Sequence, residues 1–161
     1  MKRRVVGLGA AVALVASGLG ASAATVAACG APAGKAYYPA AGVVPKAQAG
    51  WTDDQITGGA TTLTQDEGGE LDILFRDARG EITSARNDGG RVIQVRKSTN
   101  EIAVIVVYVD GAEAVEVYSF VREADGRAKM LQLSSKGLTL NPAVPKAGVY
   151  VADCTTLNLT P

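Results

Sequence analysis

Two cysteines, 16 carboxylates and no histidine are the material from which any chemistry in this 161-residue chain must be built. The missing imidazole removes Ser-His-Asp and Cys-His nucleophilic sites, His-based zinc sites and the usual proton shuttle near neutral pH. Cys29 and Cys154 stand far apart and cannot form a Cys-rich metal motif. Carboxylate pairs can hydrolyse glycosides without histidine, which makes Asp53-Asp54, Asp66-Glu67 and Asp72 the candidates for such a site. Asp66-Glu67-Gly68-Gly69-Glu70 offers oxygen atoms to calcium, but it lacks EF-hand spacing and has the composition of a solvated turn. Ser134, Ser135 and Lys136 could supply a Ser–Lys pair. However, adjacent strand residues point to opposite faces, and Ser-Ser-Lys-Gly has the composition of a turn. The Gly-rich segments do not open helices and so offer no phosphate cradle. No catalytic, cofactor or metal residue is assigned.

Two residues are retained as a possible binding surface. Trp51, the only tryptophan, sits beside two acids at the entrance to the folded region, where it could plug the core or lie open as a ligand platform. Arg86 stands at the rim of the turn Ser84-Ala85-Arg86-Asn87-Asp88-Gly89-Gly90. The arginines at 76, 79, 86, 91, 96, 122 and 127 are interleaved with carboxylates, so no basic block supports binding to nucleic acid or anionic lipid.

The start of the chain carries an address. Lys2, Arg3 and Arg4 precede an uncharged run from Val5 to Ala16, and small residues follow up to Cys29. That is the layout of an export signal, and its apolar core falls short of the ~20 residues of a membrane span. Ala21-Ser22-Ala23 fits signal-peptidase cleavage before Ala24. Val26-Ala27-Ala28-Cys29 resembles the lipobox of bacterial lipoproteins, which implies cleavage after residue 28 and lipid on Cys29. In an oxidising compartment the two cysteines would instead form a Cys29–Cys154 disulfide. Lipid and disulfide exclude each other, because both need the Cys29 sulfur. Residues 1–28 hold three basic and no acidic residues, so removing them leaves 16 less 3, or 13, bases against 16 acids, a formal charge of −3.

Residues 29–50 are rich in Ala, Gly and Pro; Pro32, Pro39 and Pro45 disfavour regular structure, and the composition is that of a linker. Thr52-Asp53-Asp54-Gln55 has the form of a capping box, but Gly58-Gly59 ends any helix there within two turns. Beyond it, strands and turns alternate. Leu71, Ile73 and Phe75 share a period of two, and Asn87-Asp88-Gly89-Gly90 predicts a hairpin between 82–86 and 91–97. Ile102 to Val109 is wholly apolar or aromatic and dominated by β-branched residues. It predicts a central strand covered on both faces. Strands are also expected around 115–120, 130–133 and 149–152.

The expected architecture is a signal peptide (1–28, or 1–23 with the earlier cleavage), a linker (29–50) and one all-β domain (51–161). That domain is an antiparallel sandwich or barrel of about 7–8 meander strands. The expected function is a non-enzymatic binding or accessory role in the cell envelope, at the periplasm or surface or secreted. The partner would be a protein or an envelope polymer, with membrane contact only through lipid on Cys29. The alternatives are a carboxylate-based envelope hydrolase and a structural component of an envelope complex.

Overall fold

The computed structural model describes residues 23–109, 113–137 and 144–159. The export leader falls mostly in 1–22 and lies outside the described residues. The described part holds eleven strands: β1 (Ala24–Cys29), β2 (Ala33–Tyr38), β3 (Gly50–Gln55), β4 (Ala60–Gln65), β5 (Leu71–Arg76), β6 (Ile82–Ser84), β7 (Gly90–Lys97), β8 (Glu101–Tyr108), β9 (Ala114–Arg122), β10 (Ala128–Lys136) and β11 (Lys146–Leu157). Its only helical element is a 3-10 turn, Lys46–Gln48. All ladders are antiparallel, in the order β6-β5-β4-β1-β11-β10-β9-β8-β7, with β2 on β11 and β3 on β2.

The strand count exceeds the expected 7–8 because three strands, β1, β2 and β3, form in segments where none was expected. The twelve-residue edge of β11 pairs β1 opposite 154–157 and β2 opposite 147–151. On the far side of that bent ribbon, β3 lies on β2 and β4 lies on β1. Pro32 sits at the bend, where its carbonyl accepts the Ile56 N–H at 3.2 Å. Segments read as leader end and linker, 24–29 and 33–38, are thus ladder strands, and the box-like Thr52–Gln55 lies within β3. Proline confined to bends and strand ends does not stop such a strand.

The 87–90 turn is not a hairpin. Among the described residues β6 pairs only β5 and β7 pairs only β8, so residues 85–89 carry the chain from one end of the sheet order to the other. A five-residue crossing is possible only if the sheet curls until its ends nearly meet. The Ala85 N–H donates to Ile73 O at 2.8 Å, and Gly90 N–H donates to Ala85 O at 2.7 Å, stitching the seam. A Cβ on Gly90 would come within 2.6 Å of Ala85 O and 2.8 Å of Tyr108 Cε1, so only glycine passes there.

Curling gives the sheet one inside. The even-numbered residues of β8 to β10 face it, including Ile102, Val104, Val106, Phe120 and Met130. The expectation that both faces of 102–109 are covered holds for the inner face and, on the outer, for Ala103 alone. Ile105 and Val107 are half-buried on the convex side, and Val109, past the end of β8, is 72% exposed.

Candidate functional site

Register sorts the concave face into rows that run across the strands. At one end, Ile102, Phe120, Met130 and Ala152 stand side by side. This row is apolar and buried, and the Cys29–Cys154 disulfide lies beyond it, opposite Ala128. The next row is Val104, Tyr118, Gln132, Tyr150, then Gly34 and Asp54. A third holds Val106, Glu116, Ser134 and Gly148, and a fourth Tyr108, Ala114, Lys136 and Lys146. The interior therefore changes from hydrocarbon to polar over about three rows.

Glu116 is the centre of the polar half. It is 9% exposed, and its Oε2 accepts the Tyr118 hydroxyl at 2.6 Å. Tyr118 in turn accepts from Gln132 Nε2 at 3.3 Å. The Tyr118 hydroxyl is held well above its ordinary pKa by burial first and by the Glu116 charge second. Tyr108 is also raised, by burial and then by Glu116 and Asp88. These groups line a cavity of about 200 Å³. Its walls add Ile56, Phe75 and Ala114, and its rim adds Arg76, Asp77, Asp88 and Lys136. Arg76 Nε is engaged by Gly58 O at 3.2 Å.

A second polar cluster occupies the neighbouring stretch of β2, β3 and β11. Asp54 Oδ2 accepts Lys146 Nζ at 2.7 Å, the Tyr150 hydroxyl at 2.8 Å and the Tyr38 hydroxyl at 3.1 Å. The Lys146 ammonium lies 5.8 and 5.6 Å from the Tyr38 and Tyr150 ring centroids. Burial opposes ionisation of Asp54, but the bonds from Lys146 and Tyr150 outweigh it and its pKa is lowered. Burial likewise works against charged Lys146, and Asp54 more than reverses that, raising it. The pair is a satisfied structural clasp between β3 and β11.

Of the residues singled out from the sequence, Asp66, Asp72 and Arg86 meet with Glu70 at one surface site near the seam, whereas Trp51, Asp53, Asp54 and Ser134 to Lys136 lie elsewhere. Trp51 is 67% exposed on the convex face, edge to face with Tyr37 at 5.6 Å between centroids, so it does not plug the core. Arg86 sits in the seam crossing, paired with Glu70. Asp53 is exposed on Lys35, whereas Asp54 points inward. Asp72 is turned to the outer side, accepting from Ser84 Oγ and, at 3.2 Å, from Arg86 N. Asp66 Oδ1 accepts the Glu70 N–H at 2.9 Å, closing the β4–β5 hairpin as a turn residue does. Ser134 to Lys136 belong to β10 rather than to a turn, because the ladder to β9 and β11 continues through them. No hydrogen bond joins Ser134 to Lys136 among the described residues. Cys29 is bonded to Cys154.

Glu116, Tyr118 and Gln132 escaped sequence reasoning for a definite reason. Val115 and Val117 alternate with Glu116 and Tyr118, and either parity is apolar enough to face a core. A glutamate would ordinarily assign its own parity to solvent. The signal that could have reversed this is Phe120 and Met130, large apolar residues in register on the glutamate's side.

Comparison with protein-family models, with curated proteins and with solved structures gives no significant match.

Proposed function

We propose that this is an exported, non-enzymatic binding protein that holds a small ligand in the polar half of its curled sheet. The observation that carries the reading is the buried Glu116–Tyr118–Gln132 chain, which lines an open cavity of about 200 Å³ whose walls are otherwise mostly apolar. A carboxylate is costly to bury, and folds retain such groups where they meet a partner or specify structure. Small-molecule sites combine apolar walls with a few convergent polar atoms. A ligand-observed NMR screen of small fragments against wild type and Ala114→Leu, which fills the cavity, tests it. Hits lost in the variant support the reading; hits indifferent to the plug overturn it. Hydrolase assays on peptidoglycan and ester substrates run alongside. Turnover abolished by Glu116→Gln with the fold intact would establish the hydrolase instead.

A second reading has its own observation. Trp51, Tyr37, Ala147, Ser135 and Val115 form one row on the convex face. Beside it Leu131, Leu133, Val149 and Val151 are each at least two-fifths exposed. Exposed apolar surface with aromatic anchors suits contact with a protein or an envelope polymer. A pull-down from envelope extract that loses its captured species on Trp51→Ala supports this contact.

Export is part of the same proposal. β1 begins at Ala24 and pairs both β4 and β11, and its last residue is tied to Cys154. Cleavage after Ala23 keeps that strand and is favoured over lipidation of Cys29, which would consume the bonded sulfur. Intact mass of the purified protein distinguishes an N-terminus at Ala24 with no free thiol from an acylated Cys29.

A further inference from the structure

We propose that the cavity takes a small organic cation, a primary amine on a compact apolar body, with its ammonium donating to Glu116. The inference rests on the cavity being the binding site and adds the class of its occupant. Hydrogen-bond direction supplies the first argument. Gln132 donates to Tyr118, and Tyr118 donates to Glu116 Oε2. That relay uses both capacities of the Tyr118 hydroxyl and points its protons toward Glu116, the one carboxylate in the chain of bonds. Among the described residues, no hydrogen bond reaches Glu116 Oε1, and that oxygen is not sealed from the cavity space. An occupant that meets Glu116 Oε1 is therefore a donor, and an ammonium adds to that bond a Coulomb attraction that a neutral donor lacks.

The walls agree. Phe75, Tyr108 and Tyr118 present aromatic rings, whose faces attract cations, and Asp77 and Asp88 add negative charge at the rim. Of the two cations there, Arg76 is held by Gly58 O. Lys136 stands opposite Ala114 at the rim, and no ion pair joins it to Glu116 among the described residues. The raised Tyr108 hydroxyl reports the same negative field, after burial, from Glu116 and Asp88. The volume equals roughly seven waters at about 30 Å³ each, the space of a ligand of about eight to ten heavy atoms.

The probes are benzylamine, its neutral isostere benzyl alcohol, and benzoate, titrated into ¹⁵N-labelled protein at neutral pH. Benzylamine is expected to shift the amides of Tyr108, Ala114 and Gln132 and to bind about tenfold or more tighter than either congener. Glu116→Gln should cost benzylamine about tenfold or more in Kd, while Lys136→Ala, which removes a competing cation, should tighten it. Asp88→Asn alters an exposed rim residue, and it should weaken benzylamine a fewfold even if Glu116→Gln fails to fold. Benzyl alcohol or benzoate binding the cavity as well as benzylamine overturns the cation class while leaving the site standing. So does indifference of benzylamine to both acidic substitutions. If none of the three probes shifts the cavity amides, the cation proposal falls together with the cavity reading beneath it.

Discussion

Tyr118 reaches back along its own strand to hydrogen-bond Glu116, two residues away on the same inward face, at 2.6 Å. Period-two geometry makes this possible, since residues i and i+2 share a face and stand about 6.6 Å apart along the strand. The bond gives a buried carboxylate its one donor from a described side chain. Tyr118→Phe keeps the ring and removes that donor, so it should destabilise by about 1–3 kcal/mol in urea unfolding. A change within a few tenths of a kcal/mol would mean that Glu116 is otherwise solvated.

Asp54 and Lys146 should govern the pH dependence of stability at the other polar cluster. Asp54 is lowered in the fold, so its contribution is present above its unfolded pKa and is lost as pH falls through its folded value. Lys146 is raised, so its contribution is full below its unfolded pKa and is lost only far into the alkaline range. Asp54→Asn should therefore cost about 1–3 kcal/mol at pH 7, and the gap to wild type should narrow as pH falls below about 4. Chemical denaturation at pH 7 and pH 3 checks both. A constant gap would mean that charge is not what the pair contributes.

Cys29 and Cys154 are 125 residues apart in sequence, and their link ties the first described strand to the last. Chain-entropy accounting gives a cross-link of that span up to about 5 kcal/mol. Thermal unfolding with and without reductant should show a drop in Tm of many degrees. No drop would mean that β1 holds its place by ladder hydrogen bonds alone.

Trp51, 67% exposed, makes a simple optical test of the β3 placement because it is the only tryptophan. Its emission should be red-shifted and readily quenched by iodide, with Trp51→Ala close to neutral in stability. Blue-shifted, protected emission would place it in the core.

Strand character was legible wherever composition and period agreed, as in Leu71–Phe75 and Ile102–Tyr108. The fold was less legible where long strands pass through unpromising text. β2 reads Ala-Gly-Lys-Ala-Tyr-Tyr, which carries little strand propensity, and it forms because β11 offers a free edge beside it. The 87–90 turn carries correct hairpin chemistry, yet its flanking strands take other partners, because curling brings the sheet ends together. That is a long-range property, invisible to local pattern. The candidate site was hidden for the same reason. Its residues come from β8, β9 and β10, with contributions from β4, β5 and the seam, and only register assembles them.

The most direct test of the cavity as the functional centre is where bound fragments land on the protein. A ¹H–¹⁵N shift map of the tightest fragment from the screen should centre on Tyr108, Ala114, Glu116, Tyr118 and Gln132. Perturbations centred on Tyr37, Trp51, Leu133 and Val149, with the cavity amides unmoved, would contradict the account and move the binding surface to the convex face.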